Sequence, residues 1–100
     1  MAQTFKEIIE KIDEHLKKSG KRYYSEFCIG ISENARRSLF EIHHVDKDNS
    51  WWIYVTAVSV NDAEKVEKHY SELGMRRGSG ATNESSKMVY CYVVTPTTTE

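Results

Sequence analysis

The sequence has little of what marks a secreted or membrane-spanning protein. Its two cysteines, Cys28 and Cys91, both fall inside apolar strand patterns. That placement favours buried free thiols in a reducing compartment over a disulfide framework. No apolar run approaches the roughly 20 residues of a membrane span, and the sequence begins directly with a charged amphipathic pattern rather than a signal peptide. These absences predict a soluble cytoplasmic protein with no membrane partner.

An excess of charge of one sign is also lacking. Fourteen basic and 15 acidic residues give a net charge of -1 and a pI of about 6.4. Domains that bind nucleic acid through a broadly basic surface usually have a pI above ~9. The composition therefore excludes a basic surface over the whole domain, but it does not exclude a local basic patch. The length of 100 residues predicts one domain, residues 1–100, that can fold without disulfides. The Thr-rich residues 95–100 are expected to form a frayed tail.

Three segments have the apolar spacing of amphipathic helices. The first, residues 4–19, begins with a Thr4–Glu7 capping box and is followed by Gly20, a favourable C-terminal cap. Its apolar stripe could cover the protein's own sheet or meet a second copy of the chain in a homodimer. The second, residues 34–43, has its stripe at Ala35, Leu39 and Ile42. The third, residues 61–73, begins at Asn61.

Residues 21–32, 51–59 and 88–94 have strand patterns. The middle segment is apolar on both faces, which places it in the interior of the protein. Tyr90 and Tyr92 share one face of the last segment, and Val89, Cys91 and Val93 share the other. Strands and helices alternate, so we expect an α+β fold in the order α-β-α-β-α-β.

A candidate anion site lies where the first strand meets the second helix. Gly30 interrupts the strand, and glycine there often marks a bulge or a close approach to the backbone. The helix that follows carries cationic side chains, Arg36 and Arg37, and then His43. A phosphate site and an ordinary strand–helix connection both fit this pattern. Arg76 and Arg77 could also contact an anion, although the Gly-rich loop 75–87 after them lacks the ending of a P-loop.

Several segments together resemble the GIY-YIG nuclease superfamily, especially its small stand-alone bacterial members. They are FCIGIS, then ARRSLFEIHH, then WW, then AEKVEKHYSELGM and the Gly-rich loop, within residues 24–94. The resemblance implies a three-stranded, largely antiparallel sheet flanked by three helices. It also implies cleavage of phosphodiester bonds in nucleic acid with a divalent metal ion.

The resemblance assigns roles position by position. Glu67 matches the family's metal-binding glutamate and would hold Mg²⁺ or Mn²⁺. The alternatives are a carboxylate partnered within the protein and a boundary side chain that extends into water. His43 falls where many members have a histidine. Where the family's second motif strand has a tyrosine, this sequence has Cys28. Where the family has an arginine just before the helix leucine, this sequence has Ser38, and Arg37 is the nearest arginine that could replace it.

The family's first motif strand is absent from its usual place, where residues 4–19 form a helix. We infer that strand 88–94 pairs beside Cys28-Ile29-Gly30 instead and supplies the missing tyrosine from Tyr90 or Tyr92. Tyr24 is a further candidate for the general base. Loss of one transition-state cation costs on the order of 10²–10³ in rate, so these departures bear directly on activity.

Three functions follow from these residues. The first is a GIY-YIG-like domain with a degenerate nuclease site that serves as a binding or regulatory module. The second is an active metal-dependent nuclease that uses Arg37, Glu67 and a tyrosine. The third is a protein-interaction or dimerisation module without a nucleic-acid role. The near-neutral charge favours the first and third, and the retained Glu67 favours the second.

Overall fold

The first helix, α1 (Phe5–Lys17), forms where its sequence predicts. The structure, a computed structural model, describes residues 2–21, 23–46, 50–77, 86–96 and 98. The capping box is present, since the Thr4 amide donates to Glu7 Oε1 at 2.9 Å. Gly20 has the expected left-handed backbone, with a φ of 78°. Ile8 and Ile12 have no exposed surface, so the apolar stripe of α1 covers the protein's own sheet.

The remaining elements confirm the α+β class. After a 3₁₀ turn (Tyr24–Glu26) come β1 (Phe27–Ser32), a short helix α2 (Ala35–Arg37) that continues as a π turn (Ser38–Ile42), and β2 (Trp52–Thr56). Helix α3 (Val60–Glu72), β3 (Arg76–Arg77) and β4 (Met88–Val93) complete the order. None of the described helices is long and apolar enough to cross a bilayer.

The sheet differs from the predicted three-stranded one. Among the described residues it has four strands, in the order β2-β4-β1-β3. Strand β4 is antiparallel to both β1 and β2, whereas β3 runs parallel to β1. The prediction that residues 75–87 are entirely loop is therefore wrong. Strand β3 is two exposed arginines, which carry no alternation of apolar and polar residues for a pattern to detect.

Strand β2 lies at one edge of the sheet. Within it Val55 is buried but the other residues are half-buried or exposed, so its predicted place in the interior of the protein is also wrong. Both faces of β2 are apolar because helices α1 and α3 pack on one side of the sheet and α2 on the other, and both layers reach the edge strand. Four consecutive residues, from Trp51 to Tyr54, remain only half-buried. Apolar faces therefore report the layers above and below a strand, but they do not report its neighbours within the sheet.

Each face of the sheet has its own core. Helices α1 and α3 pack on one face, against alternate side chains of the strands such as Ile29, Val89 and Cys91. Helix α2 packs on the other face, against Cys28, Tyr90 and Tyr92 among others. The two faces predicted for the last strand, β4, are confirmed. Cys28 and Cys91 are both buried free thiols on opposite faces, so they cannot reach one another.

The start of α3 lies before the predicted one. Ser59, not Asn61, caps the helix, and its side chain accepts a hydrogen bond from the Asp62 amide at 3.1 Å. Serine and asparagine are equally good N-caps, so composition alone does not separate two candidates two residues apart. The apolar spacing predicts a buried stripe of Ala63, Val66, Tyr70 and Leu73. The first three are buried, whereas Leu73, just after the helix, is 45% exposed, so that part of the prediction is wrong.

His15 joins the end of α1 to the aromatic start of β2. Its ring stacks on Trp51 with centroids 4.6 Å apart, and the Trp51 indole donates to the His15 carbonyl at 3.1 Å. Its Nε2 atom is buried and has no hydrogen-bond partner among the described residues. Burial lowers the pKa of His15 below its ordinary value. A hydrogen bond with the Trp52 backbone offsets part of this shift, and the nearby Lys18 adds to it.

We expect the protein to lose stability below about pH 6.5, the ordinary pKa of histidine. The folded state resists protonation of His15, whereas the unfolded state does not. The contribution of the neutral His15 to the free energy of unfolding is therefore complete above that pH. It is lost as the pH falls towards the lowered pKa of the folded state. Urea unfolding of the wild type and His15→Phe between pH 5 and 8 checks this, because the variant should depend less on pH. His44→Asn, at an exposed position with a left-handed backbone, is the control and should leave the dependence unchanged.

Candidate functional site

His43 is buried between the two tyrosines of β4. Its Nε2 lies 2.8 Å from the Tyr90 hydroxyl, and its ring centroid is 5.3 Å from that of Tyr90 and 5.3 Å from that of Tyr92. Only 1% of His43 is exposed. Three predicted site residues are therefore together, but they form a packed aromatic cluster beneath α2 rather than an open wall.

The π turn explains why His43 occupies this place. The His43 amide donates to the Ser38 carbonyl at 2.9 Å, one residue further back than in an α-helix. The extra residue rotates the chain, so Ile42, predicted in the buried stripe, is 48% exposed. That part of the prediction is wrong. Ala35 and Leu39, which precede the shift in register, are buried as predicted.

Gly30 is needed for a close approach, and the group that approaches is Tyr90. The two residues are paired across β1 and β4, and a Cβ at position 30 would overlap the Tyr90 ring. The volume that a phosphate would need above Gly30 is therefore filled by a side chain of the protein itself. Burial raises the pKa of Tyr90 above its ordinary value, and Cys28 and Glu67 raise it further, which makes this phenol a poor general base at neutral pH.

Glu67 lies on α3 and is ion-paired with Arg77. The Arg77 guanidinium donates to Glu67 Oε1 at 2.7 Å. Glu67 is 8% exposed, whereas Arg77 is largely exposed at the far edge of the sheet. The carboxylate therefore has an internal partner, which was one of the alternatives to a metal ion at this position.

The fit of a metal ion at Glu67 is partial. Magnesium is often held by one or two carboxylates together with water and substrate phosphates, so a single glutamate suits such a role. However, Arg77 already binds one of its oxygens. Within the described ranges, no group of three or more His, Cys, Asp or Glu side chains is placed to hold a metal ion.

We expect Arg77→Met to lower the free energy of unfolding by about 1 kcal/mol, because it leaves a nearly buried carboxylate without its cation. The effect is held to that size by the solvent exposure of Arg77. Lys68→Met is the matched control, since Lys68 and Glu72 form a fully surface pair with 4.0 Å between charged atoms. It should change stability by less than about 0.5 kcal/mol. Equal effects of the two substitutions in urea unfolding would contradict this account of Glu67.

Arg36 and Arg37 lie on the exposed side of α2. Arg37 borders a cleft of about 240 Å³ whose other walls are mainly hydroxyl and amide side chains, among them Asn34 and Ser86, with the acidic Glu33 beside them. Ser38, at the position of the family's arginine, is buried and donates to Ser32 Oγ at 2.8 Å. Arg37 also pairs with Glu41 at 3.6 Å, where both side chains are exposed, so little free energy opposes its reorientation.

The other predicted residues are separate from this cluster. Tyr24 packs near Tyr70 with ring centroids 6.3 Å apart, on the α1 side of the molecule. Arg76 pairs with Cys28 in the parallel ladder, and its side chain is exposed. The predicted catalytic and metal-binding residues thus lie in four places: the buried cluster around His43, the ion pair of Glu67, the cleft beside Arg37, and Tyr24 on the α1 side of the sheet.

Sequence reasoning missed a second cleft, of about 310 Å³, at the end of α1. Asp13, Lys17 and Lys21 supply its charged groups, and Tyr23 and Tyr24 supply its aromatic ones. The signal was present as two consecutive tyrosines in a polar stretch between helix and strand. Their exposure could not be inferred from the sequence.

Comparison with known proteins adds no identification. No family model matches the chain, and no curated protein or solved structure shows significant similarity to it.

Proposed function

We propose that this chain is a GIY-YIG-like domain whose nuclease site is degenerate and which binds nucleic acid without cutting it efficiently. The pairing of β4 supports the resemblance. It lies antiparallel to β1, with Tyr92 opposite Cys28 and Tyr90 opposite Gly30. In this position β4 takes the place of the family's missing first motif strand, and a tyrosine meets the motif glycine.

The buried contact between His43 and Tyr90 carries the degenerate part of the proposal. A general base must reach a proton of the substrate, either directly or through one water. Here the phenol is hydrogen-bonded to His43 beneath α2, and Tyr92 has no exposed surface. Ser38 and Cys28, which replace the family's arginine and tyrosine, are buried too.

The exposed arginines of α2 support the binding part. Arg36 and Arg37 are adjacent, and Arg37 opens onto a cleft whose lining includes the neutral side chains of Asn34 and Ser86, together with the carboxylate of Glu33. Guanidinium groups and neutral hydroxyl or amide donors are the side chains that contact phosphate oxygens in nucleic-acid complexes. Since the net charge is only -1, we expect modest affinity that depends on this local patch.

Fluorescence anisotropy with labelled single-stranded and duplex oligonucleotides at 20 to 200 mM salt tests the binding. For Arg36→Gln/Arg37→Gln we expect the affinity to fall roughly 10-fold at low salt. The slope of log affinity against log salt concentration should become shallower by roughly 1 to 2, because fewer phosphate contacts are made and fewer counterions are released on binding. Lys6→Gln/Lys11→Gln, on the exposed face of α1, is the control of equal charge. No binding at 20 mM salt, or an equal loss in the control, would overturn the proposal.

An active nuclease is the second candidate, and Glu67 favours it. This carboxylate is retained on the helix that the family uses and is nearly buried, and its charge contributes to the raised pKa of Tyr90. Displacement of Arg77 by a substrate phosphate would free Glu67 for a metal ion.

Dimerisation through the apolar stripe of α1 is less favoured, because that stripe already packs on the sheet.

A further inference from the structure

The cleft at the end of α1 combines an apolar floor with aromatic walls. Phe27, which is almost fully buried, and Leu16 form its floor. Tyr23 is 65% exposed and Tyr24 is 37% exposed. Tyrosine rings with this much exposure beside a cleft of about 310 Å³ provide stacking surfaces for a planar ligand, and that volume lies within the usual range of ligand sites.

The walls of the cleft are held by local hydrogen bonds. The Tyr23 amide donates to Glu26 Oε2 at 3.1 Å and fixes the start of the 3₁₀ turn. Across the cleft, Ser19 Oγ donates to the Leu16 carbonyl at 2.6 Å and accepts from the Lys21 amide at 3.2 Å. A site whose walls are already placed loses less conformational entropy when it binds a ligand.

The charges of the cleft are divided between its interior and its rim. Asp13, partly buried, accepts a hydrogen bond from the Tyr70 hydroxyl at 2.7 Å, which orients its carboxylate. Lys17 and Lys21 are exposed. An inner acceptor and two outer cations suit a ligand that has hydrogen-bond donors on a ring and a negative charge at the other end. A simple cation would meet the two lysines, and a purely apolar ligand would leave the carboxylate with only its hydrogen bond from Tyr70.

We propose that this cleft binds one nucleotide. The base stacks on Tyr23 and Tyr24, an amino group of the base donates to the Asp13 carboxylate, and the phosphate contacts Lys17 and Lys21. The choice of ligand rests on the proposed nucleic-acid function, but none of the residues is shared with the arginine patch. Both a free nucleotide and one residue of a single strand present this chemistry.

The carboxylate predicts selectivity among bases. Guanine, adenine and cytosine carry exocyclic amino groups, and a carboxylate is a suitable acceptor for such groups. Uracil lacks one. Stacking on tyrosine tolerates every base, so Asp13 sets the preference whereas the tyrosines set the overall affinity.

Calorimetry and amide chemical shifts with GMP, CMP, UMP and an eight-nucleotide single strand test the proposal. We expect GMP or CMP to bind more tightly than UMP, and Tyr23→Ala to weaken binding about 10-fold through lost stacking, whereas Tyr23→Phe keeps it. Tyr23 is exposed, so neither variant should affect folding. Asp13→Asn retains an acceptor for Tyr70 and should abolish the preference over UMP.

The outcomes separate the sources of the ligand. Binding of mononucleotides that Tyr23→Ala weakens supports a free nucleotide as ligand, and binding of the oligomer alone, with the same loss, supports a residue of a single strand. Oligomer binding that Tyr23→Ala leaves unchanged would overturn this cleft while the proposed function stands. Mononucleotide binding that survives Arg36→Gln/Arg37→Gln would support the cleft even if the arginine patch fails. No binding by either ligand would overturn the cleft.

Discussion

Replacing Gly30 with alanine is expected to lower the free energy of unfolding by about 3 kcal/mol, at the upper end of the cost of overpacking a core. The new Cβ would overlap the ring of Tyr90, which is held by its hydrogen bond to His43 and cannot move aside freely. Urea denaturation measures the loss, and thermal unfolding should show a decrease of roughly 10 to 20 °C for a domain of this size.

Two comparisons identify the cause. Gly20 has a φ of 78°, and a Cβ added there would meet open space. For Gly20→Ala we therefore expect only the cost of a left-handed backbone, about 1 kcal/mol. In a Tyr90→Ala background the ring is gone, and Gly30→Ala should then cost far less than in the wild type, because contacting residues are not additive. A Gly30→Ala protein as stable as the wild type would contradict the packing described for Tyr90.

Replacing His43 with alanine should also cost about 3 kcal/mol, because it removes a fully buried ring and leaves the Tyr90 hydroxyl without its partner. The neighbouring Ile42→Ala should cost less than about 1 kcal/mol, since Ile42 is half exposed. An uninterrupted α-helix would reverse this order. The two variants, compared by urea unfolding, thus test the π turn and the structural role of His43 together. A larger loss from Ile42→Ala than from His43→Ala would refute both.

The parts of the fold that follow from local patterns were predictable. Helix α1 has a capping box, a regular apolar period and a terminal glycine that all indicate one structure, and its boundaries agree closely with the prediction. Strands β1 and β4 alternate clearly, and their pairing could be inferred once β4 was assigned the place of the missing motif strand. Consistent local signals of this kind specify an element before its packing is known.

Features that depend on tertiary neighbours were not predictable. One extra residue in the π turn exchanges Ile42 for His43 in the core, and no residue type marks where such a turn occurs. Strand β3 consists of two arginines that pair with β1 through the main chain. Strand β2 looked like an interior strand because both sheet faces are covered. In each case a neighbouring element, not the segment itself, decides the outcome.

The sequence singled out candidate site residues, but it did not report how they are arranged. The sequence pointed to Gly30, His43, Tyr90 and Glu67, and all four occupy special environments. Their roles depend on which groups lie opposite them, namely the Tyr90 ring above Gly30 and Arg77 beside Glu67. Such pairings join residues distant in the chain, and spacing along one sequence does not report them.

The measurement that tests the central claim most directly is a cleavage assay with labelled single-stranded, duplex and branched DNA and with RNA, in Mg²⁺ or Mn²⁺. Glu67→Ala at equal concentration is the control. A degenerate site predicts no more cutting by the wild type than by Glu67→Ala, with binding retained at low salt. Cutting by the wild type that disappears in Glu67→Ala would contradict that claim and establish an active nuclease.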